Sequence, residues 1–522
     1  MGRVYLLDCT LRDGGYINDW RFGQDAIRGF CQKIARTGIE MFEVGFLKGD
    51  GYDPDRSVFP DIASFREVIV PKDPSLCYVG MLDMKAPVPL DRIEPYDGTS
   101  IDGIRVIFKK DRIEEALVYC RVLKDKGYRV FANFVGTDAY TDREFIEGIE
   151  RFNVVAPHVM TIVDSFGVIK RKQFLRLVYL ADHNMAPGIM LGYHAHNNLQ
   201  QAMGNAEALV ELNLQRGVCI DACVFGMGRG AGNLDLELFA DFMNENYGTH
   251  YRIDPMLEIM DEYLSEIYRT RFWGYSLPLY LSAVNGCHPN YAIYLAQKDA
   301  LTVKGFSELL RSIPPADKVQ FDQESAERSY RRYQEEHCDD RAVIEELSHI
   351  FAGKRLLLLA PGKSLEVYAD RIHKVIETET DYVIAANFLA EAFRPDFIFS
   401  ANMRRYARIQ GKTEAKCIIT SNLQKEARGD YVVDFIHFAS KQPEIMDNSA
   451  LMLLRLLETC GVRTIQIAGM DGYSAHHDGD YYDPVLEYDF SREAERRNAA
   501  ISAELRALKM RLDLLTPTEY RL

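Results

Sequence analysis

Long apolar runs are missing from this 522-residue sequence. No run approaches the roughly 20 residues that a membrane-spanning helix needs, so we expect no transmembrane segment. The N-terminus, MGRVYLLDCTLRDGG, becomes a charged strand-and-loop pattern at once, which is not the pattern of a signal peptide. Leu6 occupies the position where N-myristoylation requires Ser or Thr, so this modification is not expected either.

Basic residues are fewer than acidic ones. Lys and Arg number 62 against 77 Asp and Glu, which gives a formal net charge of −15. Binding to nucleic acid phosphates requires a basic surface, so the composition argues against a nucleic-acid partner. A local basic pocket for a small anion remains compatible with this charge.

Paired cysteine motifs are absent from the sequence. The chain has 10 cysteines but no CxxC motif, and the closest two, Cys219 and Cys223, lie in one apolar run. We therefore expect free and mostly buried thiols, as in proteins of the reducing cytoplasm. A disulfide framework or a thiolate zinc site is not expected.

Short apolar runs that favour β-strands recur along the first half of the chain. The overall balance, 47% hydrophobic and 27% charged residues, is that of a globular protein, and the length predicts two or three domains. Eight such runs alternate with helical patterns: VYLLDCT (4–10), MFEVGF (41–46), LCYVGML (76–82), GIRVIF (103–108), RVFANFV (129–135), HVMTIVD (158–164), GIMLGYHAH (188–196) and VCIDACVFGMG (218–228).

The segments between these runs are typical of amphipathic helices. In residues 112–127 the apolar side chains recur at helical spacing and a glycine follows, which indicates a helix and its end. A doubly wound sheet also alternates strands and helices, but eight consecutive units favour a (β/α)₈ TIM barrel. We predict this barrel as the catalytic domain over residues 1–250.

The second half of the chain changes character twice. Residues 251–350 have few strand-like runs and predict a helical extension and connector. From residue 351 a second α/β pattern predicts a smaller Rossmann-like domain over 351–522. Its predicted strands are 354–359, 381–387, 396–402, 416–422, 430–435 and 463–471.

The carboxyl ends of the barrel strands are unusually polar. Catalytic groups of TIM barrels project from this end of the strands. The polar side chains expected there are Asp8, Arg12, Asp13, Glu43, Asn133, Asp164, His194 and His196, followed by the loop GMGRGAGN (226–233).

His194 and His196 are predicted to bind a metal. Side chains alternate along a strand, so these two imidazoles should lie on the same side, and Asp13 could add a carboxylate across the mouth. Mixed nitrogen and oxygen ligands suit Mn²⁺, Mg²⁺ or another divalent ion. The alternative is that the two histidines are ordinary polar residues at a strand end.

Five motifs, DCTLRDGG, EVGF, VDS, HAHNN and GMGRGAGN, resemble the metal-dependent lyase-type (DRE-TIM) barrels. That group includes 4-hydroxy-2-oxovalerate aldolase, hydroxymethylglutaryl-CoA lyase and the isopropylmalate and homocitrate synthases, and the aldolase loop is the most similar. The resemblance implies that Asp13, His194 and His196 are metal ligands and that Asn233 ligates the metal or closes over it. It also implies that Arg12 stabilises an enolate. A structural salt bridge from Arg12 to Asp13 or Glu43 is the alternative, and both roles could coexist.

One departure from that pattern concerns the catalytic base. The pyruvate aldolases have a histidine shortly after the RDG triplet, whereas this chain has Tyr16. Tyrosine titrates near 10, so Tyr16 is a poor base and is expected to orient the substrate or a metal-bound water instead. His288, in GCHPNY, is another candidate base, with a purely structural histidine as the alternative.

The turn APGKSL (360–365) of the second α/β domain predicts a phosphate-binding turn at Gly362 and Ser364. It has neither GxGxxG nor a complete P-loop, so a tight structural turn is the alternative. Together with AAN, DNSALMLLRLLETCG and IQIAGMDGYS, it resembles the domain shared by motility-accessory proteins and a bacterial sialyltransferase family that binds a cytidine nucleotide sugar. The resemblance implies that Asn387, Ser449 and Tyr473 approach a nucleotide. Basic groups expected to assist are Lys363, Arg404 and Arg405.

The predicted function is a bifunctional enzyme of carbohydrate or surface-polysaccharide biosynthesis. Its barrel would be a metal-dependent lyase that runs a pyruvate-type aldol reaction between a 2-oxo acid and an aldehyde. The second domain would bind a nucleotide or nucleotide sugar. The alternative is an acyl-CoA Claisen-type synthase or lyase, with the second domain a scaffold or oligomerisation module. The oligomeric state is left open, with a homo-oligomer among the possibilities. The segment HHDGDYYD (476–483) is predicted to be an exposed acidic loop rather than a metal site.

Overall fold

The computed structural model describes residues 2–49, 51–298, 300–475, 480–483, 486 and 490–522. The chain divides into two compact units, Met1–Ile293 and Tyr294–Leu522. No helix among the described residues is long and apolar enough to span a membrane. All 10 cysteines are free thiols and all but Cys338 are buried, which confirms that prediction.

The first unit contains a closed parallel barrel, which confirms the predicted (β/α)₈ architecture. Within the described residues, β1 pairs with both β2 and β9 and so closes the sheet, while the short β3 lies outside the ring on β2. Four strands of the ring, β2, β7, β8 and β9, are buried along their whole length. The strands are β1 (Val4–Asp8), β2 (Met41–Leu47), β3 (Val58–Phe59), β4 (Cys77–Asp83), β5 (Gly103–Phe108), β6 (Arg129–Phe134), β7 (Val159–Asp164), β8 (Met190–Ala195) and β9 (Val218–Ala222).

Helices cover the outside of the barrel. They are α1 (Gly15–Asn18), α2 (Gln24–Ile34), α3 (Ile62–Arg66), α4 (Ile113–Asp125), α5 (Asp142–Val155), α6 (Arg171–Asn184), α7 (Ala202–Glu211) and α8 (Leu236–Tyr247). In α5 the apolar face consists of Phe145, Ile149 and Phe152, and Thr141 with Glu144 forms a capping box at its start. Between β4 and β5, residues 84–102 form only a 3₁₀ turn at Leu90–Arg92 in place of a helix.

Further helices follow the barrel. They are α9 (Asp254–Ile259), α10 (Ser265–Thr270), α11 (Leu277–Val284), α12 (Pro289–Ala296), α13 (Val303–Ser312), α14 (Pro315–Lys318), α15 (Gln323–Gln334) and α16 (Arg341–Phe351). This run of helices agrees with the helical character expected of the segment. The boundary between the two compact units falls inside it, at Ile293 and Tyr294.

The second unit is built on a second parallel sheet, which confirms its predicted α/β class. Its strands are β10 (Leu356–Leu359), β11 (Tyr382–Ala386), β12 (Phe397–Ser400), β13 (Lys416–Thr420), β14 (Tyr431–Val433), β15 (Thr464–Ala468) and β16 (Arg511–Leu514). The last strand, β16, has no counterpart among the predicted strands. It lies at the sheet edge and its sequence, RLDL, alternates charged and apolar residues, so it lacks the apolar run that marks a buried strand.

The strand order of this sheet is β14-β13-β12-β11-β10-β15-β16. Strands β11 to β14 follow one another on one side of β10, and β15 lies on its other side. Connections from β10 and β15 therefore leave in opposite directions, and a crevice opens beyond their carboxyl ends. The accompanying helices are α17 (Ser364–Val367), α18 (Ala369–Glu379), α19 (Met403–Ile409), α20 (Phe435–Phe438), α21 (Ser449–Thr459) and α22 (Ala494–Ala507).

Candidate active site and metal centre

The first barrel strand is followed by one turn of π-helix, Thr10–Gly14, which carries Arg12 and Asp13. Such turns are frequent at functional sites because the extra residue redirects side chains. The Ser57 hydroxyl donates a hydrogen bond to a main-chain carbonyl of the turn at 2.6 Å. The Trp20 indole N–H donates to the carbonyl oxygen of Arg12 at 2.7 Å. These bonds fix the turn that presents both charged side chains to the barrel mouth.

Asp13, His194 and His196 converge at the mouth as a group of potential metal ligands. One ligand atom of each lies within 4.8 Å of those of the other two. The two imidazole centroids are 5.4 Å apart, and His194 Nε2 lies 3.3 Å from Asp13 Oδ2. All three residues are buried. The structure thus brings together the three side chains that the sequence predicted as ligands.

The electrostatic setting favours an anionic Asp13 and a neutral His196. Burial opposes the charged form of Asp13, but Arg12 and the two imidazoles hold the pKa of this carboxyl well below its usual range. Burial lowers the pKa of His196 to about 3, against the opposite effect of Asp13. Burial opposes the charged form of His194, but the carboxylates of Asp13 and Asp221 beside it raise its pKa well above the usual value. A carboxylate and unprotonated imidazoles are the forms that bind a cation, so a cation bound here would displace the proton of His194.

Several buried polar atoms of this group have no hydrogen-bond partner among the described residues. They are Asp13 Oδ1, His194 Nδ1 and His196 Nδ1, and Asn233 Oδ1 beside the group is unpartnered as well. Each unpartnered buried atom costs about 1–3 kcal/mol, which a bound cation would offset. Nitrogen and oxygen donors together suit Mn²⁺ or another divalent ion. The residues present therefore fit a divalent metal.

The loop after β9 approaches this group too closely for a side chain at Gly228. A Cβ there would lie 2.2 Å from Asn233 Nδ2 and 3.2 Å from Asp13 Oδ1. Asn233 also forms an isolated β-bridge with His196, and its Nδ2 donates to the carbonyl oxygen of Met227 at 3.2 Å. Asn233 thus lies beside the ligands, at the position predicted for a ligating or closing residue.

Arg12 is buried and held by two carboxylates. Its Nε donates to Glu43 Oε2 at 2.7 Å, and its Nη1 donates to Asp13. The salt bridges considered as the structural alternative are therefore present. They orient the guanidinium beside the potential metal ligands, in an arrangement compatible with a fixed hydrogen-bond donor to a substrate oxygen.

Sequence analysis did not single out Arg105 and Asp221, which extend this charged network inside the barrel. Arg105 Nη1 donates to Glu43 Oε2 at 3.1 Å, and its Nη2 donates to Asp221. Asp221 Oδ2 lies 3.1 Å from His194 Nδ1. Charges of alternating sign therefore run from Arg12 to His194. The available signal was a charged residue in the middle of each apolar strand, GIRVIF and VCIDA.

Replacing Arg105 by Met should lower the free energy of unfolding by about 3–5 kcal/mol, because the buried Asp221 would lose its arginine partner and Glu43 would keep only Arg12. The urea midpoint of the barrel transition, followed by circular dichroism, measures this loss. Arg112→Met is the matched control, since Arg112 forms an exposed ion pair with Glu115. Its expected effect is at most about 1 kcal/mol. Equal losses for the two variants would show that the network does not stabilise the barrel.

Tyr16 lies at the barrel mouth and is 41% exposed. Its ring centroid is 4.9 Å from that of Trp20 and 5.4 Å from the guanidinium carbon of Arg229. Partial burial raises the pKa of Tyr16 above its usual value. The phenol is therefore neutral at physiological pH, and it can donate a hydrogen bond but is a poor base.

His288 follows the barrel and contacts the loop after β7. Its ring makes an edge contact with Phe166, with centroids 5.6 Å apart, and its Nδ1 accepts a hydrogen bond from the Asn290 N–H at 3.2 Å. Burial, with smaller effects of Arg229 and Lys109, lowers the pKa of His288 to about 3. Such a weak base favours the structural alternative for this histidine.

Other polar strand ends stabilise local structure. Asp164 accepts hydrogen bonds from the Val168 and Ile169 N–H groups, both at 2.9 Å. Asp8 accepts from the Thr10 hydroxyl at 2.6 Å. Burial raises the pKa of each of these two carboxyls to about 7. The amide oxygen of buried Asn133 has no partner among the described residues.

The second unit has a pocket of its own at the carboxyl ends of β10 and β15. Four of the five predicted nucleotide-binding residues line it, namely Gly362, Asn387, Ser449 and Tyr473. Three cationic side chains also line it, namely Lys298, Arg405 and Arg497. The pocket occupies the crevice that the change in strand order opens.

The turn after β10 uses its own N–H groups within the protein. Gly362 N–H donates to the carbonyl oxygen of Gly469 at 2.9 Å, and Ser364 N–H donates to Asp471 Oδ2 at 2.7 Å. A Cβ at Gly362 would lie 2.3 Å from the Gly469 oxygen, so only glycine fits there. This bonding favours the tight structural turn over a phosphate-binding turn. Of the predicted acidic loop that follows Asp471, residues 476–479 lie outside the described residues.

The same pocket faces the start of α21, the helix that begins at Ser449. Ser449 is buried and its hydroxyl has no hydrogen-bond partner among the described residues. The next residue, Ala450, also lines the pocket, and the side chain of Asn448 caps the helix by accepting from the Leu451 N–H at 3.1 Å. The first N–H groups of a helix have no partner within the helix, and its positive end attracts anions. This end of the pocket suits a negatively charged group.

The part of the chain that contains the barrel matches a known protein family. Residues 3–261 match the HMGL-like family. A 4-hydroxy-2-oxovalerate aldolase of Spirochaeta aurantia is 26% identical over 240 residues, 45% of this chain and 68% of the aldolase. An oxaloacetate decarboxylase of Mycobacterium tuberculosis is 24% identical over 242 residues, 44% of this chain and 67% of the decarboxylase. Among solved structures, the HMG-CoA lyase of Brucella melitensis aligns at 17% identity with a TM-score of 0.40, covering 50% of this chain and 96% of the lyase.

Proposed function

Because residues 3–261 belong to the HMGL-like family, we propose that this protein is a divalent-metal-dependent lyase acting on the carbon–carbon bond next to a carbonyl. The observation that carries the proposal is the buried convergence of Asp13, His194 and His196, with Arg12 fixed beside them. The two similar enzymes are named for 2-oxo acids, 4-hydroxy-2-oxovalerate and oxaloacetate. We therefore propose a 2-oxo acid as one substrate and an aldehyde as the other.

The proposed reaction is an aldol addition or its reverse. A proton leaves C3 of the 2-oxo acid, C3 bonds to the carbonyl carbon of the aldehyde, and the aldehyde oxygen takes up a proton. A divalent ion held by Asp13, His194 and His196 would supply Lewis-acid stabilisation of the enolate charge. Arg12 donates hydrogen bonds to the oxygen on which this charge develops, and Glu43 holds the guanidinium in place for that donation. The neutral Tyr16 phenol orients the substrate at the mouth.

The proposal is tested by incubating the metal-stripped and Mn²⁺-loaded protein with pyruvate in D₂O. Loss of the methyl signal in proton NMR reports exchange at C3 without any aldehyde. We expect exchange only with metal, and new carbon–carbon bonds once an aldehyde is added. If acetyl-CoA condenses with 2-oxo acids while pyruvate alone never exchanges, the Claisen-type alternative replaces the aldolase.

We also propose that the second unit binds a nucleotide or nucleotide sugar. The support is a pocket at a switch in strand order, where open α/β sheets bind ligands. The start of α21 and the unpartnered Ser449 hydroxyl suit a phosphate. A nucleotide sugar bound in this pocket would link the aldol reaction of the barrel to carbohydrate biosynthesis. The free thiols fit a cytoplasmic location.

Cytidine or uridine nucleotides at millimolar concentration should raise the melting temperature of the second unit in the full-length protein. A ligand at 10 times its Kd stabilises by about 1.4 kcal/mol, roughly 3–6 °C for a unit of this size. Ser449→Ala should reduce the shift, whereas Ser312→Ala, an exposed serine of the same unit, should not. If no nucleotide or nucleotide sugar moves the transition, a scaffold role replaces this proposal.

A further inference from the structure

We propose that Arg229 binds a second anionic group of the substrate, carried by the aldehyde half. This inference rests on the proposed aldolase function and names the class of its acceptor. Arg229 is the only residue of the loop GMGRGAGN with a charged side chain. Four features support the role: its place in the loop, its missing counter-charge, its contrast with the other arginines at the site, and its contact with the exposed ring of Tyr16.

The loop holds Arg229 next to the metal ligands. On one side Gly228 packs against Asp13, since a Cβ would lie 3.2 Å from Asp13 Oδ1. On the other side Gly230 has φ of +70° and packs against Asn198, whose Oδ1 would lie 2.8 Å from a Cβ. Both neighbours are restricted to glycine by these close approaches. The side chain at position 229 is therefore the one that this part of the loop presents to the mouth.

The guanidinium of Arg229 lacks a counter-charge in the part of the chain that the structure describes. Its Nη2 donates to the carbonyl oxygen of Ser165 at 3.1 Å, while its Nε is buried without a hydrogen-bond partner. The Tyr16 ring lies against it, 5.4 Å from the guanidinium carbon. A partly buried cation is stabilised when an anion pairs with it, and a planar guanidinium matches a carboxylate or phosphate.

The other two arginines at this site are already neutralised. Arg12 pairs with Asp13 and Glu43, and Arg105 pairs with Glu43 and Asp221. In a chain of formal charge −15, carboxylates are abundant, yet none of the described ones pairs with Arg229. Its positive charge is therefore available to a ligand rather than used in the fold.

The contacts of Arg229 place its guanidinium on the solvent side of the ligand group. The preceding residue, Gly228, packs against Asp13, whereas the guanidinium lies against the ring of Tyr16, which is 41% exposed at the mouth. An anion on Arg229 would therefore lie beside the position where the aldehyde half of the substrate meets the solvent.

The substrate class that follows is a 4-hydroxy-2-oxo acid with an additional carboxylate or phosphate on the aldehyde-derived part. The 2-oxo acid end faces Asp13 and Arg12, and the second anion faces Arg229. A neutral aldehyde leaves Arg229 unpaired, so it should be a poorer acceptor.

The test compares kcat/KM for neutral and anionic aldehydes, each with pyruvate as the second substrate. The short aldehydes are glycolaldehyde, glyoxylate and glycolaldehyde phosphate. The longer pair is butanal and succinic semialdehyde. We expect the wild-type protein to prefer an anionic aldehyde over its neutral counterpart. Arg229→Gln should lower that preference roughly 10- to 100-fold, the range of one charge-assisted hydrogen bond. Arg229→Lys should retain part of it. The carboxylate and phosphate arms identify which anion is bound.

Three further variants separate this role from a structural one. Tyr16→Phe keeps the ring against the guanidinium and should keep the preference, whereas Tyr16→Ala should reduce it. Arg176→Gln removes a surface charge of α6 that pairs with Asp142, and should leave the preference unchanged. Equal loss of rate with anionic and neutral aldehydes in Arg229→Gln, or no preference in the wild type, would overturn the inference.

The exchange of pyruvate protons in D₂O needs no aldehyde and therefore separates two kinds of failure. If wild-type exchange occurs but the acceptor preference does not depend on Arg229, only the inference about Arg229 is wrong. If the wild-type protein shows no exchange, the proposed function fails and the acceptor class fails with it.

Discussion

Replacing His196 by Ala is expected to remove the bound divalent ion and to lower kcat/KM by about 1,000-fold or more. The reason is that Lewis-acid stabilisation supplies several kcal/mol, and each 1.36 kcal/mol corresponds to a factor of 10 in rate. His196 is buried beside Asp13, burial keeps its imidazole unprotonated, and it is one of the three residues that form the potential metal group. Metal content by elemental analysis and the exchange of pyruvate protons are the two measurements.

The fold should survive this substitution, because His196 follows β8 and is not part of the charged network through Arg105. Circular dichroism and the melting temperature check this point. His183→Ala is the matched control, since His183 is an exposed histidine of α6. Its metal content and activity should equal those of the wild type. Full activity of metal-free His196→Ala would rule out the proposed metal centre.

Arg12→Lys is expected to lower kcat by about 100- to 1,000-fold with little change in KM, the usual effect of removing one donor to an oxyanion. Lysine keeps the positive charge but loses the planar fork that bonds Glu43 and Asp13 at the same time. The remaining ammonium is a flexible point charge and cannot be held at one angle to the enolate oxygen. Initial rates over a range of pyruvate concentrations separate kcat from KM.

Arg36→Lys serves as the control for this change. Arg36 forms a surface ion pair with Glu258 and has no part in the proposed site. Its kinetic constants should not change. Metal content should remain at the wild-type level in Arg12→Lys, since Asp13 and both histidines are kept. A variant that raises KM while kcat is unchanged would assign Arg12 to substrate binding instead of enolate stabilisation.

Much of the barrel site could be predicted from local sequence because strand ends leave a local signal. Asp13 follows a buried strand within a few residues, and the alternation of side chains along the predicted strand 188–196 places His194 and His196 on one side. In a barrel all carboxyl ends of the parallel strands meet at one mouth, so residues distant in sequence become neighbours by topology alone. In the second sheet it was the family resemblance that indicated Asn387 and Ser449, and both line one pocket there.

Other parts of the site could not be predicted because they depend on distances between strands. Arg105 and Asp221 are single charged residues within apolar runs, and nothing local indicates that each finds its partner across the barrel. The segment between β4 and β5 gives no sign that its helix is missing, and the edge strand β16 alternates charged and apolar residues over only four positions, without the apolar run of the other strands. The turn at Ser364 is a further example. Its N–H already donates to Asp471, and this contact between residues far apart in the chain is visible only in the tertiary structure.

By itself, the sequence determined the α/β class, the order of the strands along the chain and the set of polar residues at their ends. These properties follow from hydrophobic periodicity and from the geometry of a single strand or helix. Only the tertiary structure decided which charges are neutralised: Arg12 and Arg105 have carboxylate partners, whereas none of the described carboxylates pairs with Arg229. Pairing of charges depends on separations of a few ångströms between elements far apart in the chain, and packing alone sets those separations.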